Sequence, residues 1–414
     1  MKILFVTPFL PSPPRFGGQR RLDGLMRGLS RKHEVDVVSF NRTDEHEHAS
    51  VAATKEFCRQ VVTVPNLDLV ETSDKRKMQL RSLLSIHSFE HLLAAGRNDF
   101  QAALDGMLRR SAYDVVQVEF VWMTAFRFGA ADKNGARPTL VLDEHNVEYD
   151  ILKRTAGGSG GASRVVYNSL NWRKLAREER AAWRKFDGIS LTSSRDEALV
   201  QRDFPGARTA VVPNGVDVGE FSESTAESES DVLLFFGAIN YYPNQEALLY
   251  FIDHVFPLIK QRRPGAKFRV LGPGAPDSVL ARQGNGVEIL GMVPDVGPYL
   301  ESATAIVVPL RIGGGTRLKI VEALSKGKAV ISTRLGAEGI DVEHDQHLLL
   351  ADEPEDFAAA VERVLSDPAL AARLGRAGRQ LMEKQYSWQS IVGGLERFFE
   401  TLAGAAGSAR VRSA

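Results

Sequence analysis

The densest concentration of chemistry-bearing residues in this 414-residue chain is the run PLRIGGGTRLKIVEALSKGKAVIST at 309–333. It reads as strand, glycine turn, helix, strand. Gly313, Gly314 and Gly315 remove three Cβ atoms in succession, so backbone can approach a ligand closely. Thr316 is an acceptable N-cap, and a helix start offers N–H groups and a partial positive charge. Arg311, Arg317 and Lys319 add full positive charges to what is already an anion-binding arrangement. The chemistry this suits is the holding of a pyrophosphate by protein cations in place of a metal. Glu322 lies on the following turns. A carboxylate so close to phosphate is unfavourable unless it serves another group, and accepting from two ribose hydroxyls fits. The same residues also read as a glycine turn, a solvated basic first turn and a surface glutamate.

Three further stretches carry possible chemistry. In Phe16-Gly17-Gly18-Gln19-Arg20-Arg21, the pair Gly17 and Gly18 opens a helix at the carboxyl end of a strand. Its N–H groups can face a phosphate or an acceptor, although a plain loop-to-helix turn looks the same. Asp143-Glu144-His145-Asn146-Val147-Glu148 follows another strand, which makes His145 a candidate for sugar or phosphate contact, beside a structural role. Gly291-Met292-Val293-Pro294 follows a third, where the backbone of Met292 and Val293 could read a nucleobase edge or form a simple turn. Gly272-Pro273-Gly274 has Pro inside it and no third glycine, a weak match to a nicotinamide-dinucleotide fingerprint. Hydrolase triads and zinc find no support, since no Ser–His–Asp ordering, HExxH or paired CxxC is present.

The elements that must position these residues are short β-branched runs alternating with helical segments. Candidate strands in the first half are Ile3–Val6, Val35–Ser39, Val61–Val64, Val115–Val118, Leu140–Asp143 and Ile189–Thr192. Between them lie helical patterns at Gly18–Arg31, about Lys75–Arg110, and Val165–Phe186. A second series starts at Val232–Phe236 and continues through Phe268–Leu271, Val287–Leu290, Ala305–Val308, Ala329–Ser332 and Leu348–Leu350. Such alternation argues for parallel βαβ units, apolar on both faces because both are covered. The polar, acidic stretch Ser222 to Asp231 reads as the linker between two α/β domains, and residues 407–414 as a disordered tail. Open parallel sheets bind ligands at the carboxyl ends of their strands, and two such domains facing each other would form a cleft.

Composition narrows the classes. Lys plus Arg and Asp plus Glu are 52 each, for a net charge of zero, so no global basic field favours nucleic acid. The single Cys58 excludes an internal disulfide and fits a reducing compartment. No apolar run reaches the roughly 18 residues of a membrane span. The opening MKILFVTP is too brief for a signal peptide and reads as a first buried strand of a cytoplasmic protein. Two basic segments, 75–95 and 164–185, interleave Lys and Arg with Leu, Ile, Phe or Trp. They read either as helices packed on one face or as peripheral contacts with an anionic membrane.

Taken together, GG at 17–18, EHNVE at 144–148, PNGVD at 213–217, RIGGGTRLKIVEALSKGKAVIST and the YSW at 386–388 resemble the retaining glycosyltransferases of family four. The nearest subgroup is similar to sugar transferases of exopolysaccharide assembly. The resemblance implies the α/β GT-B architecture: two Rossmann-like domains with parallel sheets facing across a cleft. Residues 1–205 would form the acceptor domain, completed by the C-terminal helix 388–404 crossing back, and 206–387 the donor domain. It also implies a hexosyltransferase using a nucleoside-diphosphate sugar with anomeric retention, no cofactor and no metal. The acceptor would be a glycan or lipid-linked molecule, and the location cytoplasmic or peripheral on the inner membrane face. Glu322 matches the second Glu of the family's paired-Glu motif, expected to bind ribose. The first would stand eight positions earlier, where this chain has Gly314. Backbone N–H groups of Gly314 and Gly315 would then meet the sugar hydroxyls. The family's Arg and Lys after the first strand of the second domain are absent from FFGAINYYPNQEAL at 235–248, so Arg317 and Lys319, helped by Arg311, would take over the diphosphate. His145 matches the family's histidine near the donor sugar. A nucleotide-sugar 2-epimerase of the same architecture and a non-catalytic nucleotide-sugar binding subunit are the alternatives. The first needs several acid–base groups in the cleft. The second would bind donor without transferring it.

Overall fold

The structure is a computed structural model that describes residues 1–42, 47–66, 72–129, 137–155, 162–217, 219, 229–313 and 317–411. The chain divides into two compact units. The first comprises Met1–Pro213 with Ile391–Ala414, the second Asn214–Ser390.

The first unit is built on seven parallel strands: β1 (Lys2–Thr7), β2 (Glu34–Arg42), β3 (Gln60–Asn66), β4 (Val115–Glu119), β5 (Thr139–Glu144), β6 (Gly188–Leu191) and β7 (Thr209–Val211). Their spatial order is β3-β2-β1-β4-β5-β6-β7. β1 is central, with Phe5 opposite Val37 on one side and Gln117 on the other. The apolar strands are buried on both faces, as parallel sheets require. The second unit has six parallel strands: β8 (Val232–Phe236), β9 (Lys267–Leu271), β10 (Val287–Gly291), β11 (Ala305–Val308), β12 (Ala329–Ser332) and β13 (Leu349–Leu350). They are arranged β10-β9-β8-β11-β12-β13. Along β8 the side chains divide by the strand's period of two. Leu233 and Phe235 join a core with Phe251, Phe268 and Phe357, while Val232, Leu234 and Phe236 join another with Ile306, Ile320 and Val321.

Four features differ from the sequence expectation. The three-residue edge strand β7 pairs with β6, Ile189 opposite Thr209, which carries the first unit to Pro213 instead of 205. Glu229 already belongs to the second unit, where its carboxylate pairs with Arg269 at 2.8 Å; residues 222–228 of the expected linker lie outside the described residues. The helical stretch about 75–110 is three helices, Thr72–Leu84, Phe89–Ala94 and Asn98–Arg110. Ser88 caps the second by accepting from the N–H of His91, and Gly96, at φ +82°, turns the chain before the third. The last helix runs from Trp388 to Val411, through residues expected to be a disordered tail.

The body of that last helix packs on the first unit through Ile391, Val392, Leu395, Phe399 and Leu402, all buried. Two glycines make room for it. A Cβ on Gly28 would lie 2.4 Å from Val392 Cγ2, and one on Gly188 2.4 Å from Leu402 Cδ1.

Candidate functional site

In the second unit the strand order reverses between β8 and β11, the position where open α/β sheets take ligands. The chain leaves β8 through Gly237, at φ +139°, and reaches Gly313, at φ +111°, beyond β11. Both glycines adopt conformations that L side chains rarely take, and both lie against cations. A Cβ on Gly237 would sit 3.2 Å from Lys319 Nζ, and one on Gly313 3.1 Å from an Arg317 guanidinium nitrogen. The helix Leu318–Ser325 carries Lys319 on its first turn and Glu322 one turn on. Its N-cap is Arg317 rather than Thr316, and the Arg317 side chain is buried.

Lys319 is held by neutral groups. Its Nζ donates to Asn244 Oδ1 at 2.9 Å and lies 3.8 Å from the centre of the Phe235 ring. Asn244 is itself anchored by donating to Ala238 O at 2.7 Å. Burial, then the nearby Arg317 charge, push the Lys319 ammonium down to about 7, with Glu322 pulling the other way. Two cations share a glycine-lined strand edge, and the hydrogen bond that fixes Lys319 is accepted by an amide oxygen. That is the electrostatics of a site for a multiply charged anion. Sequence reasoning missed Asn244. Its only signal was Pro243-Asn244 opening a helix just after a strand.

The other expected residues divide. Gly314, Gly315 and Thr316 lie outside the described residues. Arg311 is engaged by neighbouring side chains. Its guanidinium pairs with Glu246 and stacks 4.0 Å over Tyr250, half exposed, at the rim of a cavity of about 470 Å³ that Thr333, His254 and Asp352 also line. Its charge is therefore compensated within the protein. Met292 and Val293 follow β10, beside the Gly272–Gly291 hydrogen bond of 2.8 Å at the strand ends; Met292 is exposed and Val293 packs partly on the core.

The first unit gathers its candidate residues at the carboxyl ends of β1, β4 and β5, on both sides of its own reversal between β1 and β4. The helix Gly17–Ser30 starts after β1 with no side-chain cap, so its first N–H groups have no partner within the helix. A Cβ on Gly18 would meet Phe9 and Phe16 at about 3.0–3.1 Å. Phe9 packs edge-on against Phe120, and Phe120 stacks on His145 at 3.8 Å, so an aromatic wall joins the glycine turn to the histidine. Phe120 holds φ +68°, a costly conformation for an aromatic residue.

Beneath His145 lies a network that spacing did not reveal. Arg21 makes a bidentate pair with Asp143, 2.8 Å on each arm, and also donates to Val212 O at 2.7 Å and Pro213 O at 3.1 Å. Ser190 donates to Asp143 at 2.5 Å. His145 Nε2 lies 2.8 Å from Glu119 Oε2, and Gln117 donates to Glu119 Oε1 at 2.7 Å. Burial, and the neighbouring Asp143, hold the Glu119 carboxyl well above its usual range. Burial pushes His145 down to about 3, so the ring is neutral. Glu119 is thus the protonated member of the cluster, hydrogen-bonded to both the neutral His145 ring and the Asp143 carboxylate. Asp143 stays ionised: despite its burial, Arg21 holds it well below the carboxylate range.

Among the described residues, two groups of side chains bring ligand atoms within 4.8 Å of one another, as a metal would require: Glu119 with Asp143 and His145, and His87 with His91 and Glu178. In the first, Arg21 already engages both Asp143 oxygens and Glu119 holds a proton. In the second, the two imidazoles stack nearly parallel, 10° apart, so their in-plane lone pairs do not converge.

Comparison with known proteins adds to this geometry. Residues 16–215 match the model of a glycosyl transferase 4-like domain, and residues 230–367 that of glycosyl transferases group 1. Over 228 residues the chain is 27% identical to the phosphatidyl-myo-inositol mannosyltransferase of Mycobacterium tuberculosis, a match that covers 51% of this chain and 59% of that enzyme. The chain thus spans about three fifths of that relative's length. Among solved structures, the sucrose-phosphate synthase of Thermosynechococcus elongatus aligns over 98% of this chain and all of its own, with TM-score 0.68 and 16% identity. Anabaena HepE, solved in complex with UDP and glucose, aligns over 97% and 100%, with TM-score 0.66 and 15% identity.

Proposed function

Because the chain belongs to the GT-B glycosyltransferases, we propose that it moves a hexose from a nucleoside-diphosphate donor to an acceptor hydroxyl, with retention at the anomeric carbon and with protein cations in place of a metal. The observation that carries this reading is Lys319: an ammonium on the first turn of a helix, beside buried Arg317, fixed by an amide and pushed down to about 7. A diphosphate there would supply the counter-charge and bring Lys319 to full protonation. The UDP and glucose bound by HepE and the mannosyl transfer named for the mycobacterial relative support a nucleotide-sugar donor.

As the anomeric bond breaks, the sugar takes on oxocarbenium character and charge collects on the departing diphosphate. Arg317, Lys319 and the N–H groups at the start of Leu318–Ser325 stabilise it without reorganising. The acceptor oxygen attacks from the same face and its proton passes to the leaving phosphate. Glu322 takes the ribose. In the first unit, neutral His145 offers its Nδ1 edge to a sugar hydroxyl, while Arg21 and Glu119 fix its loop and ring. The acceptor is a glycan or a lipid-linked sugar of polysaccharide or glycoconjugate synthesis, met on the cytoplasmic side.

Thermal denaturation with UDP, GDP and ADP tests the donor. One of them, at a hundred times its Kd, should stabilise the protein by about 2.7 kcal/mol, equally with and without chelator. No shift with any diphosphate, or a shift that a chelator abolishes, would overturn the reading. Labelled nucleotide sugar incubated without acceptor should be left intact or slowly hydrolysed; conversion to an epimer would make the protein an epimerase.

A further inference from the structure

The first unit places several large apolar side chains in water along one edge. Leu80, Leu83 and Leu84 end the helix Thr72–Leu84, Ile86 follows it, and Val166 and Leu170 lie on the helix Ala162–Trp183. Leu84 is 94% exposed and Ile86 69%. The two helices are joined side by side: Ser82 Oγ lies 3.1 Å from the Tyr167 hydroxyl, and Lys174 Nζ donates to Ser82 O at 2.5 Å. The apolar residues therefore form one patch. Monomeric proteins rarely leave such a patch open unless it meets a partner.

Its charge identifies the partner. Arg81, Arg173 and Arg177 are exposed around the patch, with Lys174 half-buried beside them. Their partners are backbone oxygens and an aromatic ring: Arg173 donates to Ser169 O and stacks on Trp172, and Arg177 donates to Ile86 O. Among the described residues none of the four is paired with a carboxylate. The carboxylates nearby face inward. Glu178 accepts from Ser88, and Glu90 from Asn171 at 2.8 Å. Apolar side chains ringed by cations complement a surface with acyl chains below and negative charge above. A second copy would set these like charges face to face, whereas an anionic bilayer neutralises the cations and takes up the apolar side chains together.

We infer that this two-helix edge docks the protein on the face of an anionic phospholipid bilayer, with Leu80, Leu83, Leu84 and Ile86 entering the interface and the arginines contacting headgroups. No helix among the described residues is long and apolar enough to cross a membrane, so the contact is peripheral. The inference does not depend on the proposed reaction, and vesicle binding reads it without any donor.

The test is flotation of the full chain with vesicles of phosphatidylcholine alone and of phosphatidylcholine mixed with phosphatidylglycerol. The protein should float with the mixed vesicles, lose binding as salt is raised, and stay behind with the neutral ones. Leu84→Glu with Ile86→Glu should weaken binding by at least about tenfold, since each loses the burial of a large aliphatic side chain. Arg81→Glu and Arg173→Glu should each cost roughly fivefold or more. Because all four side chains sit at the surface, the variants should keep the wild-type far-ultraviolet circular dichroism and melting temperature. If these signals change, Leu84→Ser and Ile86→Ser replace the double glutamate variant and the same tenfold criterion applies. Failure to float with mixed vesicles overturns the inference, as does binding that survives the loss of Leu84 and Ile86. So does dimerisation of the wild type through this patch with no vesicle binding.

Discussion

The two sheets each place a basic residue at the point where their strand order reverses, and they treat its charge in opposite ways. In the first unit Arg21 is buried with its counter-charge: both arms rest on Asp143, and two backbone oxygens take a third nitrogen. In the second, Lys319 stands beside another cation and leans on an amide and an aromatic face. The first arrangement is complete without a ligand and serves the fold. The second is electrostatically costly without one, and in the proposed function a diphosphate would relieve that cost. A charge that is already paired builds the scaffold, and a charge fixed without an anion is the one our proposal gives to the donor.

Removing one half of the closed pair should have the largest effect. Asp143→Ala leaves the Arg21 guanidinium buried and uncompensated, and should cost about 3–5 kcal/mol in urea unfolding. A loss below about 1 kcal/mol would mean that Arg21 finds water or another anion. Next comes Arg317→Ala, which should lower kcat by roughly 100-fold, about 3 kcal/mol of transition-state stabilisation, with the circular dichroism spectrum unchanged. Wild-type turnover would remove Arg317 from the site.

A third expectation concerns protons. Lys319 is half-protonated near pH 7 in the free protein, and a bound diphosphate raises its pKa. Binding should therefore take up protons, and affinity should fall as pH rises above about 7, by at most tenfold per unit. Calorimetry in buffers of different ionisation enthalpy measures the uptake; zero uptake near neutrality would detach Lys319 from the anion. The smallest effect is on stability. Lys319 is charged more readily unfolded than folded, so its contribution is unfavourable below about pH 7 and fades as pH rises towards the unfolded value near 10.5. Lys319→Met should accordingly leave the melting temperature at neutral pH unchanged or slightly raised, the opposite of Asp143→Ala.

Where the fold was legible in the sequence, one local rule decided each element. Runs such as ILFV and VLLFF sit in covered parallel sheets because they are apolar on both faces. β7 escaped notice because three residues at a sheet edge, with Val211 exposed, carry no such signature. The cations at 317 and 319 were legible because glycines and a helix start mark their place. Counting positive charges could not show that Arg311 is paired with Glu246, 65 positions away. The Arg21–Asp143 pair spans 122 positions, and nothing near either residue announces the other. Asn244 and Glu119 were missed for the same reason: each acts through a partner that only the tertiary fold brings near.

The glycine notches at Gly28 and Gly188 have a consequence for biosynthesis. The wall they receive, from Ile391 to Leu402, is translated after the whole of the second unit. While the ribosome works through residues 214–390, the first unit therefore waits with an open seam, and the later unit has all its parts first. Chaperone dependence should concentrate in that interval, and a cut before Ile391 would strand the amino-terminal half with its greasy flank in water.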